Sequence, residues 1–148
     1  LRQAKELYRF SSRIIIKIPA CREGYFVIEE LAEEGIPVMA TTIFEAHQAY
    51  LAMKLRACYI APYLGRIADG GKDPKALLEL IRQMKNDYGF ESKVLAAGVR
   101  SLDYFNMAAE TGCSGVTLPK KVYHEFISAP PGAEKALEDF KRVELLAL

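Results

Sequence analysis

The chain is predicted to be an α/β protein built from consecutive strand–helix units around a parallel sheet. Short apolar runs of strand length alternate five times with longer stretches of helical pattern. Parallel strands need crossover helices, so this alternation calls for a parallel sheet. There is no Gly-x-Gly-x-x-Gly after the first strand and no Walker motif, which removes support for a dinucleotide or nucleotide fold.

The elements follow in order. Residues 3–8, Gln3-Ala4-Lys5-Glu6-Leu7-Tyr8, read as the middle or end of a helix. The chain starts at Leu1 without Met, so the sequence is expected to begin partway through a fold. Residues 13–18 form the first strand, because β-branched isoleucines suit a covered, pleated surface. A helix over 22–34 is closed by Gly35. A strand over 36–41 and a helix over 44–55 come next. The strand 58–61 leads into a longer loop, 62–72. Asp73-Pro74 places an N-cap before a proline at the first helical position, and that helix ends at Gly89. Strand 93–97 precedes a helix with Ser101 as its N-cap and Gly112 as its stop. Strand 115–118 precedes a helix opened by Pro119, and a last helix spans about 133–146, after Pro130-Pro131-Gly132. The spacing suits a (β/α)8 barrel, but a complete one needs about 200 residues and five strands cannot close it. No linker, repeat or low-complexity tract divides residues 1–148, so one domain is expected.

Composition narrows the function. The chain has 148 residues, 51% hydrophobic and 26% charged, which is the balance of a globular domain with its own core. A net charge of +1 gives no global field toward nucleic acid or an anionic membrane, so any anion binding must be local. No apolar run approaches the roughly 18 residues a membrane span needs, and no signal peptide is visible. Cys21, Cys58 and Cys113 lie far apart, and His47 and His124 are isolated. This speaks against a metal site or a disulfide framework. Each cysteine is expected to be a small packed hydrophobe, His47 a helix-face residue, and the setting reducing and cytoplasmic. No cofactor is implied.

Lys17 stands out, one lysine among four isoleucines. A low-dielectric strand disfavours the ammonium, and a neutral amine can form a Schiff base with a carbonyl. The plainer alternative is a strand-end lysine with its tip in water. In a barrel, functional residues gather at the C-terminal strand ends and the loops beyond them. Lys17 lies at such an end, Thr41 closes the second strand, and Tyr63 and Arg66 follow the third. Gly98 and Arg100 follow the fourth, and Thr117 lies near the end of the fifth. Each has a structural alternative: Thr41 as a cap, Tyr63 packed under a loop, Arg66 simply solvated.

Six ordered segments then converge: Ile16-Lys17-Ile18-Pro19; Glu34-Gly35-Ile36-Pro37 running to Thr41; Tyr59-Ile60-Ala61-Pro62-Tyr63; Arg66-Ile67 through Gly70-Gly71; Lys93-Val94-Leu95-Ala96-Ala97; and Thr117-Leu118-Pro119. Together they resemble the transaldolase family, most closely its small fructose-6-phosphate aldolase subfamily, over nearly the whole chain from about residue 12. The resemblance implies a TIM barrel that is N-terminally incomplete, about five of eight strands, corresponding to strands four to eight. It implies that Lys17 is the Schiff-base lysine and that Thr41 helps hold a catalytic water. Tyr63 matches the tyrosine that marks the aldolase branch, where transaldolases proper usually carry phenylalanine. Arg66 matches the phosphate-binding arginine. The family usually has Ala-Ser-Phe-Lys or Ala-Ser-Val-Arg where this chain has Ala97-Gly98-Val99-Arg100. Gly98 therefore lacks a phosphate-contacting hydroxyl, although backbone N–H groups at that helix start could bind an anion. The family's remaining acid–base residues sit on the first three strands, so the network in this polypeptide is expected to be incomplete.

The expected ligand is a sugar or sugar phosphate, cleaved or transferred as a dihydroxyacetone unit. Two other readings stay open: a deoxyribose-phosphate type of barrel aldolase, against which Ala61-Pro62-Tyr63 and Thr117-Leu118-Pro119 speak, and a non-catalytic half-barrel assembly module. Two open sheet edges invite pairing with another chain, so a homo-oligomer is expected, with the last helix packing on a neighbour.

Overall fold

The computed structural model describes residues 1–146; residues 147 and 148, the end of the expected 1–148 span, lie outside it. Five strands form one sheet in chain order: β1 (Ile16–Pro19), β2 (Val38–Ile43), β3 (Tyr59–Pro62), β4 (Lys93–Ala96) and β5 (Gly115–Val116). Every neighbouring pair is parallel. The helices are α1 (Arg2–Tyr8), α2 (Arg22–Glu33), α3 (Ala46–Lys54), α4 (Leu64–Asp69), α5 (Pro74–Tyr88), α6 (Leu102–Glu110), α7 (Lys120–Ile127) and α8 (Pro131–Leu146). Sequential parallel strands with helical crossovers are the wall of a (β/α) barrel, here a five-stranded arc with β1 and β5 at its edges.

The core fills the space between the helices and one face of the sheet. Ile28 and Leu31 of α2, Leu78 and Ile81 of α5, and Val38, Ile43 and Ile60 of the strands are fully buried there. Side chains alternate across a strand, and paired residues of parallel neighbours share a face. Lys17 pairs with Met39, Met39 with Tyr59, and Tyr59 with Lys93, so these four form one row on the face away from the core.

Helix ends explain most boundaries. α2 stops at Gly35, whose φ is +73°. The Gly35 N–H donates to the Ala32 carbonyl (3.1 Å) and the Ile36 N–H to that of Leu31 (2.9 Å), a Schellman closure. Ile36 is thereby committed to the helix end, and β2 begins at Val38 rather than at 36. α6 closes the same way through Gly112 and Cys113. Asp73 caps α5 through the Lys75 N–H at 2.8 Å, with Pro74 in the first turn and Gly89 (φ +67°) at the stop. Ser101 occupies its N-cap position, but its side chain makes no capping bond.

Other stretches also differ from the sequence reading. β1 begins at Ile16, because residues 11–14 turn: the Ile14 N–H donates to the Ser11 carbonyl and the Arg13 N–H to the Ser11 hydroxyl. The stretch 62–72 contains α4, because its first N–H groups find partners across the sheet: Leu64 donates to Ala97 (2.8 Å) and Gly65 to Gly98 (3.1 Å). β5 is only two residues long, Gly115–Val116. α8 begins at Pro131, since proline suits a first helical turn. Among the described α8 side chains, Leu137 and Phe140 are exposed apolar groups.

The isoleucine run is not covered on both faces, because β1 is an edge strand and its second face is open. Ile16 is buried, but Ile15 is 37% exposed and Lys17 is exposed. Cys58 and Cys113 are partly buried, and burial pushes both thiols up; Cys21, at the start of α2, is exposed. His47 is exposed on α3.

α3 also ends in a Schellman closure, with Arg56 to Met53 at 3.0 Å and Ala57 to Ala52 at 3.1 Å, but the left-handed position is held by Arg56 (φ +64°). A left-handed L-residue costs about 1–2 kcal/mol, against about 0.5–1 kcal/mol of extra unfolded-state entropy for glycine. Arg56→Gly is therefore expected to raise stability by about 0.5–1 kcal/mol. A urea midpoint that falls instead would contradict this account of the turn.

Candidate active site

Three strand ends carry the site. Lys17 lies on β1, Thr41 on β2, and Tyr63 directly follows β3. The third strand continues past Pro62 as a bridge between Tyr63 and Ala97, which aligns Tyr63 with the end of β4. The Ala97 N–H donates to the Pro62 carbonyl at 2.9 Å, and the Tyr63 N–H to that of Ile43 at 3.1 Å. Tyr63 is thus held to both flanking strands before its side chain makes any contact.

β2 reaches Tyr63 through an irregularity. Ala40 pairs with Ile60, but Ile43 pairs with Pro62, so β2 spends one residue more than β3 over this interval. The extra residue leaves Ile43 fully buried in the core while Thr41 stays on the Lys17 face. Thr42 absorbs the turn with φ +57°, an unusual conformation for a β-branched residue. Its hydroxyl donates to the Thr41 carbonyl at 2.6 Å. Thr42 escaped the sequence reading because a threonine in an apolar run looks like an ordinary strand residue.

Polar groups converge on Tyr63. The Thr41 hydroxyl, only 6% exposed as a residue, donates to Tyr63 Oη at 3.1 Å. Lys17 Nζ is 5.7 Å from the Tyr63 ring centroid, and the Arg66 guanidinium carbon is 5.5 Å from it. Phe44 meets the same ring edge-on, with centroids 5.9 Å apart. The phenol is held below its ordinary value, first by the Thr41 hydrogen bond and then by the Lys17 and Arg66 charges, with partial burial acting the other way. The arrangement is a partly open, cationic surface with a hydroxyl pair able to hold and relay a proton.

Of the seven residues expected at the strand ends, Lys17, Thr41, Tyr63 and Arg66 meet around one aromatic ring, while the Thr117 N–H donates to the Ala96 carbonyl at 2.9 Å. Gly98 and Arg100 do not join them through the contacts they make. Gly98 has φ +65°, and its carbonyl accepts from Gly65. Arg100 forms two bonds to the Asp69 carboxylate, 2.7 and 2.5 Å, which holds that carboxyl below its usual range. A Cβ on Gly65 would lie 2.6 Å from the Gly98 carbonyl oxygen and 2.5 Å from Arg100 Nε, so glycine permits this close approach. The sequence places Arg100 at a strand end, but only the fold shows that Asp69 of α4 faces it. Among the described residues no cluster of three or more His, Cys, Asp or Glu could hold a metal, and no helix is long and apolar enough to cross a membrane.

Residues 1–146 match the family described as Transaldolase/Fructose-6-phosphate aldolase. The chain belongs to that family. It is 33% identical to a probable transaldolase of Bdellovibrio bacteriovorus over 147 residues, 97% of this chain and 68% of the relative. It is 38% identical to a probable transaldolase of Clostridium tetani over 142 residues, 94% of this chain and 66% of the relative. A probable transaldolase of Coprothermobacter proteolyticus is 36% identical over 144 residues, 95% of this chain and 66% of the relative. The chain thus spans about two thirds of the length of these transaldolase relatives.

Replacing Thr41 by Val keeps shape but removes the donor to Tyr63. The Tyr63 phenol is then expected to titrate higher than in the wild type, because the largest of the interactions that lower it is lost. Spectrophotometric titration of Thr41→Val, with Tyr63→Phe used to assign the transition among eight tyrosines, checks this. An unmoved transition would show that the Thr41 bond does not set the phenol's acidity.

Proposed function

We propose that the chain carries the covalent part of a class I aldolase or transaldolase site, with Lys17 as the Schiff-base residue and a ketose or ketose phosphate as substrate. The observation that carries this reading is the meeting of Lys17, Thr41 and Arg66 around Tyr63 at the C-terminal strand ends. The unprotonated Lys17 amine attacks the ketose carbonyl, and the carbinolamine loses its hydroxyl as water to give an iminium ion. Thr41 and Tyr63 hold the water that carries protons to and from that centre. When the C4 hydroxyl gives up its proton, the C3–C4 electron pair moves to the iminium nitrogen, an aldehyde leaves, and an enamine remains on Lys17. The base for the C4 hydroxyl is not one of these residues; the family resemblance puts it on a preceding strand. The enamine then gains a proton at carbon and is hydrolysed, releasing dihydroxyacetone, or it attacks a second aldehyde.

Arg66 supplies a cation for a terminal phosphate. Tyr63, where transaldolases proper usually carry phenylalanine, favours cleavage over transfer. Arg100, bound to Asp69, is not free to take the same role. The exposure of Lys17 and the open edges at β1 and β5 favour a second reading, a half-barrel that acts through assembly. Assembly also accompanies the first reading: copies of the chain are proposed to associate and cover those edges. A monodisperse, folded monomer in sedimentation would contradict that association.

Incubation with dihydroxyacetone followed by borohydride is expected to leave a reduced adduct on Lys17, seen by intact mass and peptide mapping. Lys17→Met should give none. A folded protein with no Lys17 adduct would overturn the covalent reading for this chain. In borohydride trapping with a phosphorylated ketose, Arg66→Gln should raise the half-saturating ketose concentration roughly 10- to 100-fold, the worth of one charged hydrogen bond, while Arg100→Gln leaves it nearly unchanged. Equal effects of the two would contradict the assignment of the phosphate to Arg66.

A further inference from the structure

Gln48 lies in the first turn of α3 and has no part in the reaction above, yet four polar contacts converge on its amide. Oε1 accepts from the Phe44 N–H at 2.9 Å and the Glu45 N–H at 3.1 Å. Nε2 donates to the Ala20 carbonyl at 2.9 Å and the Thr42 carbonyl at 3.3 Å. Turning the amide over would set its NH2 against two N–H groups and its oxygen against two carbonyls, so one orientation alone satisfies all four. The side chain joins the residue that follows β1, the irregular turn of β2, and the start of α3.

We propose that Gln48 is a positioning residue for the Lys17–Thr41–Tyr63 group, its amide NH2 locking the Thr42 turn to the end of β1. The proposal rests on the function assigned above to those three residues. Two routes lead from Gln48 to the Tyr63 ring. The first runs through Thr42 to Thr41, whose carbonyl also accepts from the Ala20 N–H at 2.8 Å and whose hydroxyl reaches Tyr63. The second runs through Phe44, whose N–H is bound to Gln48 and whose ring meets Tyr63 edge-on. A left-handed threonine persists only where its surroundings over-determine it, and the Gln48 bond to the Thr42 carbonyl is part of that restraint. Helix capping does not explain the NH2 half. The Phe44 and Glu45 N–H groups need only an acceptor, which a glutamate at the same position would supply equally well and with a favourable charge for a helix start.

That difference supplies the test. Gln48→Glu keeps the acceptor for α3 but turns a carboxylate oxygen toward the Ala20 and Thr42 carbonyls. Gln48→Met removes donor and acceptor without adding charge. For each folded variant the Tyr63 phenol is titrated, and the rate of borohydride trapping at Lys17 is measured. Both variants are expected to titrate Tyr63 higher than wild type and to trap about 10- to 100-fold more slowly, the cost of misplacing reacting groups. The uncharged Gln48→Met variant separates misplacement from a direct field of the introduced carboxylate on the phenol, and it carries the test if Gln48→Glu does not fold. Wild-type titration and trapping in Gln48→Glu, with Gln48→Met losing only stability, would reduce Gln48 to a helix cap and overturn the proposal. If the wild type is not trapped at Lys17, the covalent reading fails, and the phenol titrations still decide whether Gln48 positions Tyr63.

Discussion

The site depends on one irregular step in β2. A regular strand would alternate Ala40, Thr41, Thr42 and Ile43 between the two faces of the sheet. It would then place Ile43 on the open face and lose a core residue that is fully buried. The extra residue lets β2 return Ile43 to the core after presenting Thr41 on the other side. The cost is a left-handed Thr42, about 1–3 kcal/mol for a strained backbone of this kind. Several contacts hold it there: the Thr42 hydroxyl to the preceding carbonyl, Gln48 to its own carbonyl, and the Ala20 N–H to Thr41.

A second restraint works from the β3–β4 side. Pro62 accepts from Ala97, and Leu64 and Gly65 donate back to Ala97 and Gly98, so the start of α4 is tied to the loop after β4. These bonds use groups that a helix start otherwise leaves unpaired. They also set Arg66 and Asp69 on one short helix with different partners: Arg66 over the Tyr63 ring, and Asp69 with Arg100. Two arginines close in sequence to strand ends thereby acquire different chemistry. Arg66 forms no ion pair among the described residues, whereas Arg100 is neutralised by a carboxylate.

The electrostatics around Tyr63 follow from these restraints. A hydrogen bond donated to the phenol oxygen favours the phenolate, as do two nearby cations, and partial exposure keeps the opposing desolvation from dominating. The chain that carries this group belongs to the transaldolase/fructose-6-phosphate aldolase family. The fold supplies the geometry by placing the three strand ends in adjacent positions.

Much of this was legible in the residues themselves. Alternating strand and helix patterns required a parallel α/β sheet, and Gly35, Asp73-Pro74, Gly89 and Gly112 marked helix ends because their backbone preferences are local. Lys17, Thr41, Tyr63 and Arg66 were visible as strand-end residues for the same reason. What the sequence by itself could not give was anything that depends on a partner distant in the chain. The α4 helix forms within the stretch expected as a loop, because Ala97 and Gly98 accept its first N–H groups. Lys17 is exposed rather than sunk among isoleucines, because β1 is an edge strand with one open face. Thr42 and Gln48 carried no signal, since strain and a four-way amide contact arise only when β1, β2 and α3 are packed together. Local propensity is written in neighbouring residues; burial, strain and hydrogen-bond partners between segments are decided by tertiary packing alone.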